Sequence, residues 1–381
     1  MIKSRPLFAS FFLGGFECSS FRTREGERRD LLAETGHDRQ AAADFRQLHS
    51  LGIRTVRSGI RWHRVEREPG VYDFSSELPM LRAARETNTQ VIWDLFHYGW
   101  PDFVEVFSPA FVEHFAGLAR AFALLLAREP RGPVMVSPVN EISFLAWGGG
   151  DEGFFNPFAV GRGDELKRQL VRAFIAATQA VWEVLPQARI VSPEPVIHIA
   201  PAPERPWDAP AAEAYRRSMF QAWDMIAGRL CPELGGHERF LDVLGLNFYS
   251  ANEWIHVEKG EALRPLRPGD ALYCPFREIL REVYGRYRRP LFVAETGAEN
   301  EARAPWLAYV AGEVQAAIKA GIPVEGICLY PVADYPAWDD GRRCRVGLLG
   351  YPDPQGQRPV YPPLTQKLAR QQGLLEPVVA P

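Results

Sequence analysis

The sequence has few cysteines, no excess of either charge, and no long uninterrupted apolar run. Its five cysteines (Cys18, Cys231, Cys274, Cys328 and Cys344) form no C-x-x-C pair and no spacing that suggests a disulfide framework. Reduced thiols and a cytoplasmic location are therefore expected. The 44 basic residues against 47 acidic give a formal charge of −3, so electrostatics offer no case for nucleic acid or an anionic membrane. No segment reads as long enough to span a bilayer. No Gly-x-Gly-x-x-Gly follows an apolar run, and no glycine-rich loop ends in Lys-Ser or Lys-Thr, which removes the main support for nucleotide binding. No second histidine stands at metal-ligand spacing from His97, so neither a metal nor another cofactor is expected. Lys3 and Arg5 ahead of Leu7–Leu13 could pass for a short signal peptide. A first buried strand explains the same run, and no small-x-small cleavage site with a clean polar flank follows it.

What is present is alternation. The chain is 46% hydrophobic without a low-complexity linker, enough for one large core across residues 1–381. Eight apolar runs read as strands: Leu7–Phe16, Thr55–Ile60, Gln90–His97, Val134–Val139, Arg189–Ser192, Val243–Tyr249, Leu291–Ala294 and Gly326–Pro331. Between them, apolar residues recur every three or four positions in Asp38–Leu51, Leu78–Thr87, Pro109–Arg128, Asp164–Leu185, Ala211–Leu230, Phe276–Tyr287 and Pro305–Ala320. Eight strands alternating with helices predict a single closed (β/α)8 TIM barrel. The Pro-rich stretch Ala200–Pro210 and Glu258–Asp270 read as long rim loops. Gly148-Gly149-Gly150 could move over a site or pass a tight corner.

In such a barrel the chemistry gathers where the strands end. Glu141 closes Ser137-Pro138-Val139-Asn140-Glu141, and Glu295 closes Pro290-Leu291-Phe292-Val293-Ala294-Glu295. Two carboxylates on one rim can cleave a glycosidic bond, Glu141 protonating the leaving oxygen while Glu295 attacks the sugar carbon. Arg57 on the second strand and Tyr249 on the sixth are placed to hold the nucleophile, and Arg57 should lower its pKa while burial raises that of the acid. Asn140 and His97 could contact sugar hydroxyls, and Trp62, Trp100 and Trp338 are candidate stacking platforms. Each has a plainer alternative: a strand-end glutamate in a salt bridge, a core histidine, a core tryptophan. Glu194 in Ser192-Pro193-Glu194-Pro195 also ends a strand and is a further candidate carboxylate.

From about Phe12 to Trp338 the chain resembles family 1 of the glycoside hydrolases. The likeness rests on Arg57-Ser58-Gly59-Ile60-Arg61-Trp62-His63-Arg64, on Phe96-His97-Tyr98 with Pro101 following, and on Val139-Asn140-Glu141. Gly245-Leu246-Asn247-Phe248-Tyr249 and Ala294-Glu295-Thr296-Gly297 complete it. The resemblance implies a retaining β-glycosidase with Glu141 as acid/base and Glu295 as nucleophile. Arg57 and Tyr249 would support the nucleophile, with Asn140 and His97 on the sugar. It departs where that family grips its sugar: Phe21 is followed by Arg22 where the family has a glutamine, and Tyr330, Ala337 and Trp338 stand where it has tryptophan, glutamate and tryptophan. Ile142 replaces the usual proline, and the chain is short for the family.

The expected partner is thus a β-glycoside whose glycone is not plain glucose, because lost hydrogen-bonding groups weaken the ordinary substrate. Arg22 could enter the pocket and favour an anionic or differently configured sugar, or turn outward to a rim carboxylate. Arg342, Arg343 and Arg345 add charge near the rim. A transglycosylase using the same site and a glycan-binding barrel without turnover are the alternatives. The oligomeric state is not legible.

Overall fold

A computed structural model of the chain describes residues 6–128, 133–258 and 260–379, the side chains of 376–379 excepted. Lys3 and Arg5 lie outside the described residues. Eight parallel strands close into a barrel: β1 (Phe12–Gly15), β2 (Thr55–Gly59), β3 (Gln90–Phe96), β4 (Met135–Val139), β5 (Arg189–Pro195), β6 (Val243–Asn247), β7 (Leu291–Thr296) and β8 (Val324–Leu329). Each strand pairs in parallel with its sequence neighbours, and β8 pairs with β1 to close the ring. The eight-stranded barrel expected from the alternation of strands and helices is the fold observed.

The longer helices are α1 (His37–Ser50), α2 (Leu78–Thr87), α3 (Pro109–Ala127), α4 (Gly163–Val184), α5 (Ala209–Arg217), α6 (Phe276–Tyr287), α7 (Arg303–Lys319) and α8 (Pro362–Val379). Strand residues alternate between two cores, as period two requires. Leu13, Ile92, Met135, Val191, Val243, Phe292 and Cys328 fill the barrel interior. Val56, Trp93, Val136, Ile190, Leu244 and Val293 face the other way, into the core shared with the helices.

Several boundaries differ from expectation. Only Phe12–Gly15 of the run Leu7–Phe16 is a strand. Phe8 instead joins the interior cluster, its ring 4.9 Å from that of Phe292. Arg189–Ser192 extends to Pro195, so Glu194 is a strand residue. The single helix expected over Ala211–Leu230 is broken by a 3-10 turn at Ser218–Phe220 before Gln221–Ile226. There Trp223 turns inward, and its Nε1 donates to the Ser192 carbonyl. Helix α8 was not anticipated, because Pro362-Pro363 and a polar run conceal its apolar face. Segments flanking and within the two expected rim loops pair in a small sheet of His198–Ala200, Glu253–Ile255 and Arg264–Pro265.

One expectation needs correcting. Helix α3, with a mean hydropathy of 1.5 over its most apolar stretch, is by length and composition long and apolar enough to cross a membrane. Its buried residues Phe111, Phe115, Leu118, Ala119, Phe122 and Ala123 recur at three- and four-residue spacing. Their rings meet Trp62, Trp93 and Phe96. One side of the helix is therefore spent on the barrel wall.

Gly148–Gly150 settle as a tight corner. They lie in the π-helical turn Ala146–Asp151, all three buried. A Cβ on Gly149 would stand 2.5 Å from the Asn156 carbonyl oxygen, and one on Gly150 2.8 Å from the Gly163 Cα.

Candidate active site

Arg57 organises the rim. It is fully buried on β2, two residues along the inward face from Thr55. Its Nε donates to Asp94 Oδ1 (3.0 Å), with Nη2 2.8 Å from Asp94 Oδ2. Nη1 donates to Glu295 Oε1 (2.7 Å), and Nη2 also donates to Asn140 Oδ1 (2.6 Å). A single guanidinium fork thus ties together the ends of β2, β3, β4 and β7. Burial alone would lower its pKa, but Asp94 and Glu295 hold it well above the ordinary value.

Glu295 is 4% exposed. Its second oxygen accepts from Tyr249 Oη (2.9 Å), so both expected supports of the nucleophile are in contact with it. The expected lowering of its pKa is not found. Burial raises it to about 7; Arg57 works against that rise, and Glu141 reinforces it. Desolvation of a carboxylate in so closed a site outweighs one cation.

Glu141 sits where β4 turns into the short helix Ile142–Leu145, with φ 46°. Tyr98 Oη donates to its Oε2 (2.6 Å) and Asn247 Nδ2 to its Oε1 (2.8 Å). Tyr98 also has a positive φ, 72°. Left-handed backbone is uncommon for bulky residues and clusters at functional sites. Here two such residues are joined by a hydrogen bond. Burial and the neighbouring carboxylates push the Tyr98 and Tyr249 phenols well above their ordinary pKa, so both remain protonated donors.

The other predicted residues are placed as follows. Asn140 and His97 reach the site, but both are engaged within it: Asn140 Nδ2 lies 3.0 Å from His97 Nε2 and donates to Tyr98 Oη (3.1 Å). His97 Nδ1 is 3.2 Å from both Asp94 Oδ2 and the Cys18 sulfur. Trp338 joins an aromatic wall, its ring within 6.1 Å of Tyr98, Phe144 and Phe155. Trp62 and Trp100 are core residues, 1% and 8% exposed.

Arg22 is not brought to the carboxylates. It is part-exposed on the hairpin Ser20–Arg22/Arg28–Asp30 and pairs with Asp102 and the Gly26 carbonyl. Of the rim arginines, Arg342 pairs with Glu299, and Arg343 lies over Tyr351. Glu194 stands behind Glu141: the Glu141 amide donates to Pro193, and Glu194 Oε2 accepts from the Ser143 amide (3.0 Å). Fully buried, its pKa rises to about 7. It caps the turn that presents Glu141.

Sequence reasoning missed Asp94, Tyr98 and Asn247 as site residues. Asp94 was visible as one charge inside the apolar strand Gln90–Phe96, and Asn247 as the one amide in Val243–Asn247. Cys18, Asp94 and His97 have potential metal-ligand atoms within 4.8 Å of one another. Arg57 already holds both Asp94 oxygens, so a metal would have to displace it.

The sequence matches no protein-family model and no curated protein. Solved structures do match. A β-glycosidase from Thermosphaera aggregans superposes with a TM-score of 0.76 at 17% identity, over 96% of this chain and 97% of that one. A family 1 β-glucosidase from Thermotoga maritima gives 0.75 at 17%, over 96% and 98%. The Thermotoga maritima β-glucosidase in complex with glucoimidazole gives 0.74 at 16%, over 97% and 99%. The fold is that of family 1 β-glucosidases. The structural likeness agrees with the one drawn from the motifs.

Proposed function

We propose that this chain is a β-glycosidase that cleaves O-glycosidic bonds with retention of configuration. The observation that carries the reading is the pair Glu141 and Glu295 at the ends of β4 and β7, each oxygen held by a different donor. Glu295 attacks the anomeric carbon, with Arg57 and Tyr249 fixing its orientation. Glu141 gives its proton to the departing oxygen, and a glycosyl-enzyme forms. Glu141, now a base, then takes a proton from water, which releases the sugar. The likeness to β-glucosidases, one of them in complex with glucoimidazole, supports a carbohydrate ligand. So do Trp338 Nε1 and Asn247 Oδ1, buried polar atoms without a partner among the described residues, since hydroxyls of a bound sugar would satisfy them.

Intact mass after incubation with activated 2-deoxy-2-fluoro β-glycosides, followed by peptide mapping, tests this. One glycosyl adduct on Glu295, absent in Glu295→Gln, is the expected result. A second reading is a glycan-binding barrel without turnover, favoured by the replaced sugar-gripping residues at Arg22 and Ala337. Sugar binding with no adduct across gluco, galacto, manno, fuco and glucuronyl probes would select it.

A further inference from the structure

Near the pair Glu141 and Glu295 lies a further buried carboxylate that the mechanism does not use. Glu17 follows β1 and is 5% exposed. Its place is fixed by the backbone on either side: the Phe16 amide donates to the Arg57 carbonyl (2.9 Å) and the Ser20 amide to the His97 carbonyl (3.1 Å). Glu17 is therefore held between the ends of β2 and β3, where the rim network is built. It is close enough to act electrostatically on Glu295, His97, Tyr98, Tyr249 and Tyr330.

Within the protein its charge is poorly answered. Among the described residues its hydrogen bonding comes from Ser19, whose amide donates to Oε1 (3.0 Å), and burial raises its pKa. Among the described residues no arginine, lysine or histidine forms an ion pair with it. Arg57 is divided between Asp94 and Glu295, and His97 turns Nδ1 to Asp94 and Cys18. Four carboxylates (Glu17, Asp94, Glu141 and Glu295) thus share at most two cations. A buried, unpaired carboxylate is costly, and a ligand bearing the missing positive charge would remove that cost. A neutral hydroxyl could hydrogen-bond to it, but charge-assisted bonds are roughly twice as strong.

We propose that Glu17 selects a glycone bearing a protonated amine, an amino sugar, whose ammonium group pairs with the Glu17 carboxylate. This deepens the glycosidase reading and rests on its sugar site. It also reverses the expectation attached to Arg22: with that guanidinium committed to Asp102, the charge buried near the carboxylate pair is negative.

The experiment compares aryl β-glycosides of gluco, galacto and manno configuration with their monoamino-monodeoxy analogues, the amine replacing each hydroxyl in turn, near neutral pH. The kcat/KM values of the native chain are read alongside calorimetric binding to Glu295→Gln. At least one amino sugar should be preferred over its parent by about tenfold or more. Glu17→Gln, nearly isosteric, should lose that preference while still being labelled at Glu295 by fluoroglycosides. If no amino sugar exceeds its parent in turnover or in binding, the proposal is overturned whether or not Glu17→Gln folds. A preference that survives in folded Glu17→Gln overturns it as well. Labelling without amine preference leaves the glycosidase reading standing. Amine-selective binding without labelling or turnover would do the reverse.

Discussion

The two ends of one barrel are built on opposite principles. At the lower end Phe8, Leu13, Ile92, Met135, Val243 and Phe292 meet as an apolar plug. At the upper end the same strands deliver Arg57, Asp94, Asn140, Glu141 and Glu295, most of them as deeply buried as the plug. The lower end gains stability from removing carbon from water. The upper end holds charges that burial disfavours, and they are tolerated because nearly every oxygen and nitrogen has a named partner. Stability should therefore be separable from chemistry along a single strand, and β7, carrying both Phe292 and Glu295, is where to try it.

Replacing Glu295 by Gln should reduce turnover by about 10⁴–10⁶-fold, the scale of losing a nucleophile, with the chain still folded by circular dichroism. Phe292→Ala should do the opposite: about 3–5 kcal/mol less stability to urea, with kcat/KM per folded molecule nearly unchanged. A folded Phe292→Ala that had lost its activity would break the comparison. Arg57→Met should fail on both counts, losing activity and about 3–5 kcal/mol, because Asp94 stays buried without its cation.

The pH profile sharpens the upper end. In the proposed mechanism Glu295 must be ionised to attack, and burial raises its pKa to about 7. The kcat/KM should therefore fall as pH drops through that value. Tyr249→Phe removes a donor to the ionised form, favours the protonated one, and should move this acidic limb up by about one pH unit. A limb that stayed in place would mean the Tyr249 contact does not tune the nucleophile. The smallest effect is expected at Arg22→Ala, under about 1 kcal/mol in stability and little in kcat/KM, since its pairing with Asp102 is exposed. A large rise in KM there would return Arg22 to the sugar site.

How much was legible follows from how each residue is held. Glu141, Glu295, Arg57 and Tyr249 could be found because each ends, or nearly ends, an apolar strand, and strand ends of a parallel barrel converge. Tyr98 was hidden: a tyrosine after an apolar run is ordinary, and only its positive φ and its reach to Glu141 reveal a role. Glu17 lay beside a strand whose apolar pattern drew attention to Leu7–Phe16 instead. Phe8 and α8 escaped because a plug beneath the barrel and a proline-led helix follow no strand-helix period.

The sequence by itself determined the number of strands, their parallel order and the two carboxylates, because period-two and period-3.6 patterning is local and survives reading one residue at a time. Only the tertiary structure decided what surrounds each charge: that Arg22 faces Asp102, that Glu17 is buried between the ends of β2 and β3, that burial outweighs Arg57 at Glu295. Those outcomes depend on distance and desolvation among residues as far apart as Arg57 and Glu295, which adjacency in the chain does not record.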